Sequence, residues 1–306
     1  MLIYNGLSEF SKNENSIVTI GTFDGLHLGH QKIVDQLVNS AKSLNAKSIV
    51  ISFDPHPRQI ISGDYNLSIL TTIPEKSEIL KNSGVDGLVI LEFNKTLSQM
   101  SAEDFITDLI LDKIGLRGII IGYDHRFGKG RDGGEEMLSK LSENHGFFIK
   151  KVDAVSVNGT EVSSTKIRDF LLKGNVVDAR KFLGRYYSFE GVVVKGDQRG
   201  RKLGFPTANL MLTGYKKLLP AIGSYAVYVE LEGQRYKAMM NIGRRPTFNR
   251  WDLAVEVNIF DFDRMIYGDK LTVFVVERLR EEIKFLSVLD LVEQLNKDRE
   301  IALKYL

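Results

Sequence analysis

Short apolar runs alternate with amphipathic stretches through the first part of the chain. Residues 17–20, 48–53, 87–91, 117–121 and 147–152 are rich in β-branched and other apolar side chains, the pattern of buried strands. Between them apolar positions recur at helical spacing. Ile33, Leu37, Ala41 and Leu44 fill one gap; Phe105, Ile106, Leu109 and Ile110 fill another, behind Ser101-Ala102-Glu103-Asp104, a capping-box pattern. Strands alternating with helices predict an α/β unit built on a doubly wound parallel sheet. After Tyr186 the texture changes. Strand patterns at 189–194, 225–231, 236–241, 253–260 and 271–279 follow one another closely with glycine turns, which predicts a small antiparallel β-barrel. A last helix follows, starting at Ser287 with Asp290 three residues on. The boundary is placed near 185, giving domains 1–185 and 186–306 that abut through the short segment 173–184.

Length agrees with two domains, because 306 residues exceed what one hydrophobic core of roughly 100 to 200 residues holds. Lys plus Arg at 41 against Asp plus Glu at 39 is too balanced for nucleic-acid or anionic-membrane binding through bulk charge, so any basic site is local. The chain has no cysteine, which removes disulfides, thiolate metal sites and cysteine nucleophiles and fits a reducing compartment. The residues after Met1 show no basic leader or cleavage pattern, and no apolar stretch approaches ~20 residues. These features predict a cytoplasmic protein with neither nucleic acid nor membrane as partner.

Two segments carry candidate chemistry. The first is Gly21-Thr22-Phe23-Asp24-Gly25-Leu26-His27-Leu28-Gly29-His30, directly after the first strand pattern, where doubly wound sheets bind ligands. His27 and His30 are spaced to share one face of the first helical turn, whose free amides and dipole favour an anion. Gly25 and Gly29 allow phosphate to approach backbone closely. Further on, Ser163, Ser164 and Thr165 offer hydroxyls at a helix start, with Arg168 able to reach back to the same anion through a forked donor, an arrangement that suits a triphosphate. Taken singly, each of these is more often a cap or a surface residue. Gly128-Lys129-Gly130-Arg131-Asp132-Gly133 formally matches a dinucleotide fingerprint but starts six residues after the strand ends, so it is read as a flexible basic loop.

The second segment runs from Gly196 to Asn209 and combines a glycine and basic loop, with Gly196, Arg201 and Gly204 in it, with Pro206-Thr207-Ala208-Asn209. Thr207 and Asn209 lie two apart and so share a face if extended; their oxygens suit Mg²⁺ held against ATP phosphates. In 253–260, Val255, Val257 and Ile259 share one face and Glu256 and Asn258 the other.

The first string resembles the His-x-Gly-His nucleotidylyltransferase superfamily. With Phe53-Asp54-Pro55-His56-Pro57, Gly122-Tyr123-Asp124-His125-Arg126-Phe127-Gly128 and Ser163-Ser164-Thr165-Lys166-Ile167-Arg168, it looks like the adenylyltransferase half of bacterial bifunctional riboflavin kinase/FAD synthetases. The second segment resembles the Gly-Phe-Pro-Thr-Ala-Asn signature of riboflavin kinases. That likeness continues through Gly223-Ser224-Tyr225, Asn241-Ile242-Gly243-Arg244-Arg245-Pro246-Thr247-Phe248 and Val255-Glu256-Val257. His125 stands where phenylalanine is more usual, and Gln198 where a glycine is. The resemblance implies a nucleotidylyltransferase domain followed by a kinase barrel, with Mg²⁺, ATP as co-substrate, and riboflavin, FMN and FAD as substrates and products. It also implies that His27, His30 and Arg168 act in adenylyl transfer, that Gly21, Phe23, Asp24, Gly25 and Asp124 bind nucleotide or flavin, and that Glu256 is the catalytic base of phosphorylation. Two rival readings remain at this stage. A different nucleotidylyltransferase would leave the second domain unexplained, and a flavin-sensing protein with vestigial sites would bind without turnover.

Overall fold

A computed structural model describes residues 1–12, 15–63, 67–196, 199–213, 216–247 and 250–306. The chain forms two compact units, Met1–Ser164 and Thr165–Leu306.

The first unit holds a six-stranded sheet of β1 (Leu2–Asn5), β2 (Ser16–Ile20), β3 (Lys47–Asp54), β4 (Gly87–Glu92), β5 (Leu116–Gly122) and β6 (Phe148–Val152), in the order β1-β4-β3-β2-β5-β6. All neighbours pair in parallel. Its helices are α1 (Leu28–Ser43), α2 (Pro57–Ile61), α3 (Ile73–Asn82), α4 (Lys95–Gln99), α5 (Ala102–Asp104) and α6 (Glu135–His145). Between α5 and β5 a π-helical stretch, Phe105–Ile114, ends at Gly115, whose φ of 79° a residue with a side chain would rarely adopt. A two-stranded hairpin, β7 (Ser156–Val157) and β8 (Thr160–Glu161), follows the sheet. The strand period of two sends alternate residues to opposite layers. Val18, Ile20, Ile49 and Ile51 pack against Phe105, Ile106 and Ile110. Ile17, Val50, Leu88 and Ile120 pack against Val34, Leu37, Val38 and Ala41 of α1. Both faces are covered, as the alternating pattern predicted. The chain winds outward from β2 through β3 in one direction and through β5 in the other, so the order reverses between β2 and β5. Loops leaving the carboxyl ends of those two neighbours therefore flank the crevice where such sheets bind ligands. One strand, β1, was not foreseen: its apolar run, Leu2-Ile3-Tyr4, is too short to set a period, and it forms a four-residue edge with Leu2 and Ile3 exposed.

The second unit is a closed barrel of β9 (Tyr187–Val194), β10 (Ala208–Leu212), β11 (Gly223–Leu231), β12 (Gln234–Thr247), β13 (Arg250–Ile259) and β14 (Lys270–Arg280), in the order β10-β13-β12-β11-β14-β9. Every pair is antiparallel. α7 (Ser164–Leu172) starts at the division between units; α8 (Val176–Leu183), α9 (Arg199–Lys202) and α10 (Val288–Tyr305) complete the elements. The barrel has six strands where the sequence pattern showed five, because β10 lies inside the segment read for its ligands. The packing division also falls about twenty residues before the boundary drawn at 185. The reason is that α8 packs on β9 and β14, and the Ala221 amide donates to the Leu171 carbonyl, so this helical pair belongs to the barrel's compact unit. α10 lies on the outside of the barrel against β11, β12 and β14. Phe205, Ala226, Met239, Phe260 and Ala302 form the apolar seam between wall and helix.

Candidate active sites

The loop after β2 is held in an unusual shape. Phe23, Gly25 and Leu26 have φ of 48°, 86° and 38°, the left-handed region that side chains disfavour, so the conformation has to be imposed by its surroundings. The surroundings are the segment entering α3. Asp24 Oδ1 accepts the Leu70 and Thr71 amides at 2.9 and 3.0 Å, and the Gly25 amide donates to Thr71 Oγ1 at 2.9 Å. Ser164 Oγ donates to the Asp24 carbonyl at 2.7 Å. Phe23 and Asp24 are only 2% and 3% exposed. Their side chains are buried in the loop's packing, where Asp24 anchors it to the segment before α3.

His27 caps α1. Its Nδ1 accepts the His30 amide at 3.3 Å, which leaves Nε2 as the protonated nitrogen of a neutral ring and a donor. The His30 ring stacks on it at 3.7 Å between centroids and 14° between planes, and Phe23 closes edge-on behind His30 at 5.2 Å. The amides of Leu28 and Gly29 sit in the first turn, where no preceding helical carbonyl can reach them. Two imidazoles and two amides thus converge on one helix N-terminus, the geometry expected of a phosphate site. Gly21 lies half-buried ahead of the loop, its amide bonded to the Ile51 carbonyl at 3.0 Å. Asp124 is exposed in the loop after β5, on the neighbouring strand, and the unforeseen aromatic contact there is His125 against Phe127 at 5.3 Å. Ser163 and Ser164 are half-buried in the first unit, whereas Thr165 and Arg168 lie across the division on α7. The 128–133 segment is a tight turn, not an open loop: Phe127 and Gly133 exchange backbone bonds of 3.1 and 2.9 Å.

Lys76 was missed by pattern reading. It is 4% exposed, and its Nζ donates to the Thr22 carbonyl and to Ser52 Oγ, each at 2.7 Å. Burial lowers its pKa to about 8, against the opposing pull of Asp24 and Asp54. A Glu-Lys pair in a helix has no sequence signal for this.

In the barrel, register assembles the second site. Asn209 on β10 stands opposite Glu256 on β13, Glu256 opposite Asn241 on β12, and Asn241 opposite Ser224 on β11. Four polar side chains from four strands make one row on the outer wall. Two residues along β13, Asn258 donates from Nδ2 to the Pro206 carbonyl at 2.7 Å and fixes the turn carrying Thr207. Asn258, Asn241 and Ser224 were not singled out as site residues, although Asn258 was placed on the face of Glu256. Glu256 is half-buried, so it is not the solvated strand residue that alternation alone would allow.

A cavity of about 250 Å³ lies against this row, lined by Leu203, Phe205, Met239, Leu291 and Leu295 with Glu256 in its wall. A smaller one of about 80 Å³, with Arg201, Pro206 and Tyr267, lies on the other side of Thr207, which lines both. Gly196 sits so close to Asn209 that an added Cβ would fall 2.2 Å from its amide nitrogen and 2.8 Å from Oδ1. The loop can fold over the asparagine only because that position is glycine. Gly204, with φ of 81°, is an exposed turn residue and Arg201 is exposed. Gln198 and Phe248 lie outside the described residues. The Thr207 hydroxyl and Asn209 amide oxygen are hard donors under a glycine cradle, which fits a magnesium ion that keeps most of its waters. Among the described residues no three His, Asp or Glu side chains group as a metal cluster.

Both halves match known families: residues 9–166 match FAD synthetase and residues 183–306 match riboflavin kinase. The chain belongs to the bifunctional riboflavin kinase/FMN adenylyltransferase family. Among relatives of that description, one from Buchnera aphidicola subsp. Schizaphis graminum is 36% identical over 100% of this chain and 99% of its own length. One from Escherichia coli K12 is 32% identical over 100% and 98%. A crystal structure described as a macrolide-efflux protein from Streptococcus pneumoniae has a TM-score of 0.90 at 32% identity, covering 98% of each chain. Among the described residues no helix here is long and apolar enough to cross a membrane. As a riboflavin kinase/FMN adenylyltransferase the protein phosphorylates riboflavin to FMN with ATP and transfers AMP from a second ATP to FMN, giving FAD and pyrophosphate.

Proposed function

We propose that phosphorylation is carried by the barrel row and adenylyl transfer by the loop after β2, with catalytic domains bounded near 1–185 and 186–306. The observation that carries the first assignment is Thr207 in the wall of both cavities. Riboflavin occupies the larger, its ring system against Leu203, Phe205, Met239 and Leu291 and its ribityl end toward Glu256. ATP enters from the Arg201 side, and its γ-phosphate reaches the partition at Thr207. Glu256 accepts the proton of the 5′-hydroxyl as that oxygen bonds to the γ-phosphorus and ADP leaves. Thr207 and Asn209 would hold Mg²⁺, which would supply positive charge against the phosphates. Asn258 holds the turn and acts through Thr207.

For adenylyl transfer, an FMN phosphate oxygen attacks the α-phosphorus and the bond to pyrophosphate breaks; no protein nucleophile takes part. His27 Nε2, His30 and the Leu28 and Gly29 amides donate to the phosphate oxygens, supported by Ser163 and Ser164 of the same unit; the motif's Thr165 and Arg168 continue it onto α7. Asp124 contacts substrate from the β5 side. Catalysis is then positioning plus electrostatic stabilisation. The composition supports a cytoplasmic location.

The test is a pair of variants assayed with riboflavin, ATP and Mg²⁺. His30→Ala accumulates FMN, with FAD formation slowed on the order of 10²-fold for one lost preorganised donor. Glu256→Ala makes no FMN yet converts supplied FMN to FAD. The opposite pattern by chromatography refutes the assignment.

A further inference from the structure

We propose that Lys76 is a positioning residue for adenylyl transfer, its ammonium holding the 22–26 loop in its anion-receiving shape and supplying positive charge beneath it. This rests on the reading that the loop binds the triphosphate.

Three observations support it. First, lysines are almost never this buried unless paired with an opposite charge, yet the hydrogen bonds recorded for Lys76 go to a carbonyl and a hydroxyl, both neutral oxygens. Second, those oxygens belong to the functional scaffold: Thr22 opens the loop, and Ser52, near the end of β3, also donates to the Thr22 carbonyl at 3.2 Å. Third, residues 70–76 anchor the loop at Thr22, Asp24 and Gly25, through the Leu70 and Thr71 amides, Thr71 Oγ1 and Lys76 Nζ. Neutral groups suffice for the first three anchors, two donating amides and one accepting hydroxyl. The fourth is an ammonium kept in a place that penalises its charge.

The charged groups facing Lys76 are Asp24 from the loop and Asp54 from the end of β3. On its own helix Glu75 is turned to the Thr72 amide at 2.8 Å. Asp24 also accepts two amides at Oδ1, so its charge is shared with the loop's other anchors. A polyphosphate on the loop adds negative charge above the ammonium and favours its protonated form. By linkage, the protonated form binds the polyphosphate more tightly. With the free enzyme's Lys76 titrating at about 8, ATP binding weakens as pH rises through that value.

The experiment measures both activities of the full-length chain from about pH 6.5 to 9.5, in wild type, Lys76→Met, Lys76→Arg and His30→Ala. In wild type, kcat/KM for ATP in adenylyl transfer falls above pH 8 while kcat changes less. Lys76→Met raises the KM for ATP about tenfold, within the usual range of such couplings, loses the pH step, and leaves riboflavin phosphorylation unchanged. Lys76→Arg recovers most of the affinity and removes the step from the measured range. A Lys76→Met enzyme with the wild-type KM and pH profile overturns the proposal, as does one that loses both activities together with its thermal transition. FAD formation at the wild-type rate in His30→Ala overturns the parent assignment instead, so the two failures are told apart.

Discussion

Lys76 shows at the residue scale how a functional group sets itself against stability. Its pKa is about 8 in the folded protein against 10.5 for the free side chain, so between those values the unfolded chain binds the more protons. Stability therefore rises as pH increases from 8 to 10.5, and below 8 the buried charge costs roughly 3 kcal/mol relative to a fully solvated lysine. Urea melts of wild type and Lys76→Met compared at pH 7.5 and 9.5 should show a wild-type gain with pH that the variant lacks. His27 is a second case, where one ring does two jobs. Its Nδ1 caps the helix and its Nε2 is the donor of the proposed phosphate site, so the bond that starts α1 also sets which nitrogen can donate.

Elements decide whether these side chains meet. Gly196 follows β9 and approaches Asn209 on β10, the adjacent strand, with no room for a methyl group. Gly196→Ala is expected to push Asn209 out of the row and lower kcat of phosphorylation at least tenfold, with FMN adenylylation unaffected in the same preparation. α10 depends on a different contact. Arg280 of β14 grips Asp298 of the helix with Nε to Oδ1 at 3.0 Å and Nη2 to Oδ2 at 2.7 Å, and Gln294 adds a bond to Oδ1 at 2.8 Å. The Asp298 side chain is 3% exposed and that of Arg280 17%. Asp298→Ala strands the guanidinium, which should cost about 3 kcal/mol by calorimetry and raise the KM for riboflavin, because both residues line the cavity proposed to receive it. The double variant Arg280→Met with Asp298→Leu is expected to recover part of the melting temperature.

For the whole molecule, the proposed assignment gives the two reactions separate residues, and FMN is the product of one and the substrate of the other. Equal amounts of His30→Ala, slow in making FAD, and Glu256→Ala, unable to start from riboflavin, should together restore FAD formation with a lag while FMN accumulates. A mixture that stays inactive would show that each reaction needs both intact sites in one chain.

The linear pattern by itself determined the two fold classes, most strands and the caps at Ser101 and Ser287, and it nominated His27, His30, Thr207, Asn209 and Glu256 for the proposed chemistry, because period and short-range spacing are written in consecutive residues. Tertiary structure decided the rest. It turned Phe23 and Asp24 inward, drew the helices before residue 185 onto the barrel, placed Thr207 between two cavities, aligned Asn209, Glu256, Asn241 and Ser224 into one row, and brought Lys76 under a loop fifty-four residues away. Burial and cross-strand register arise from contacts between distant segments, and no local pattern along the chain records which segments those are.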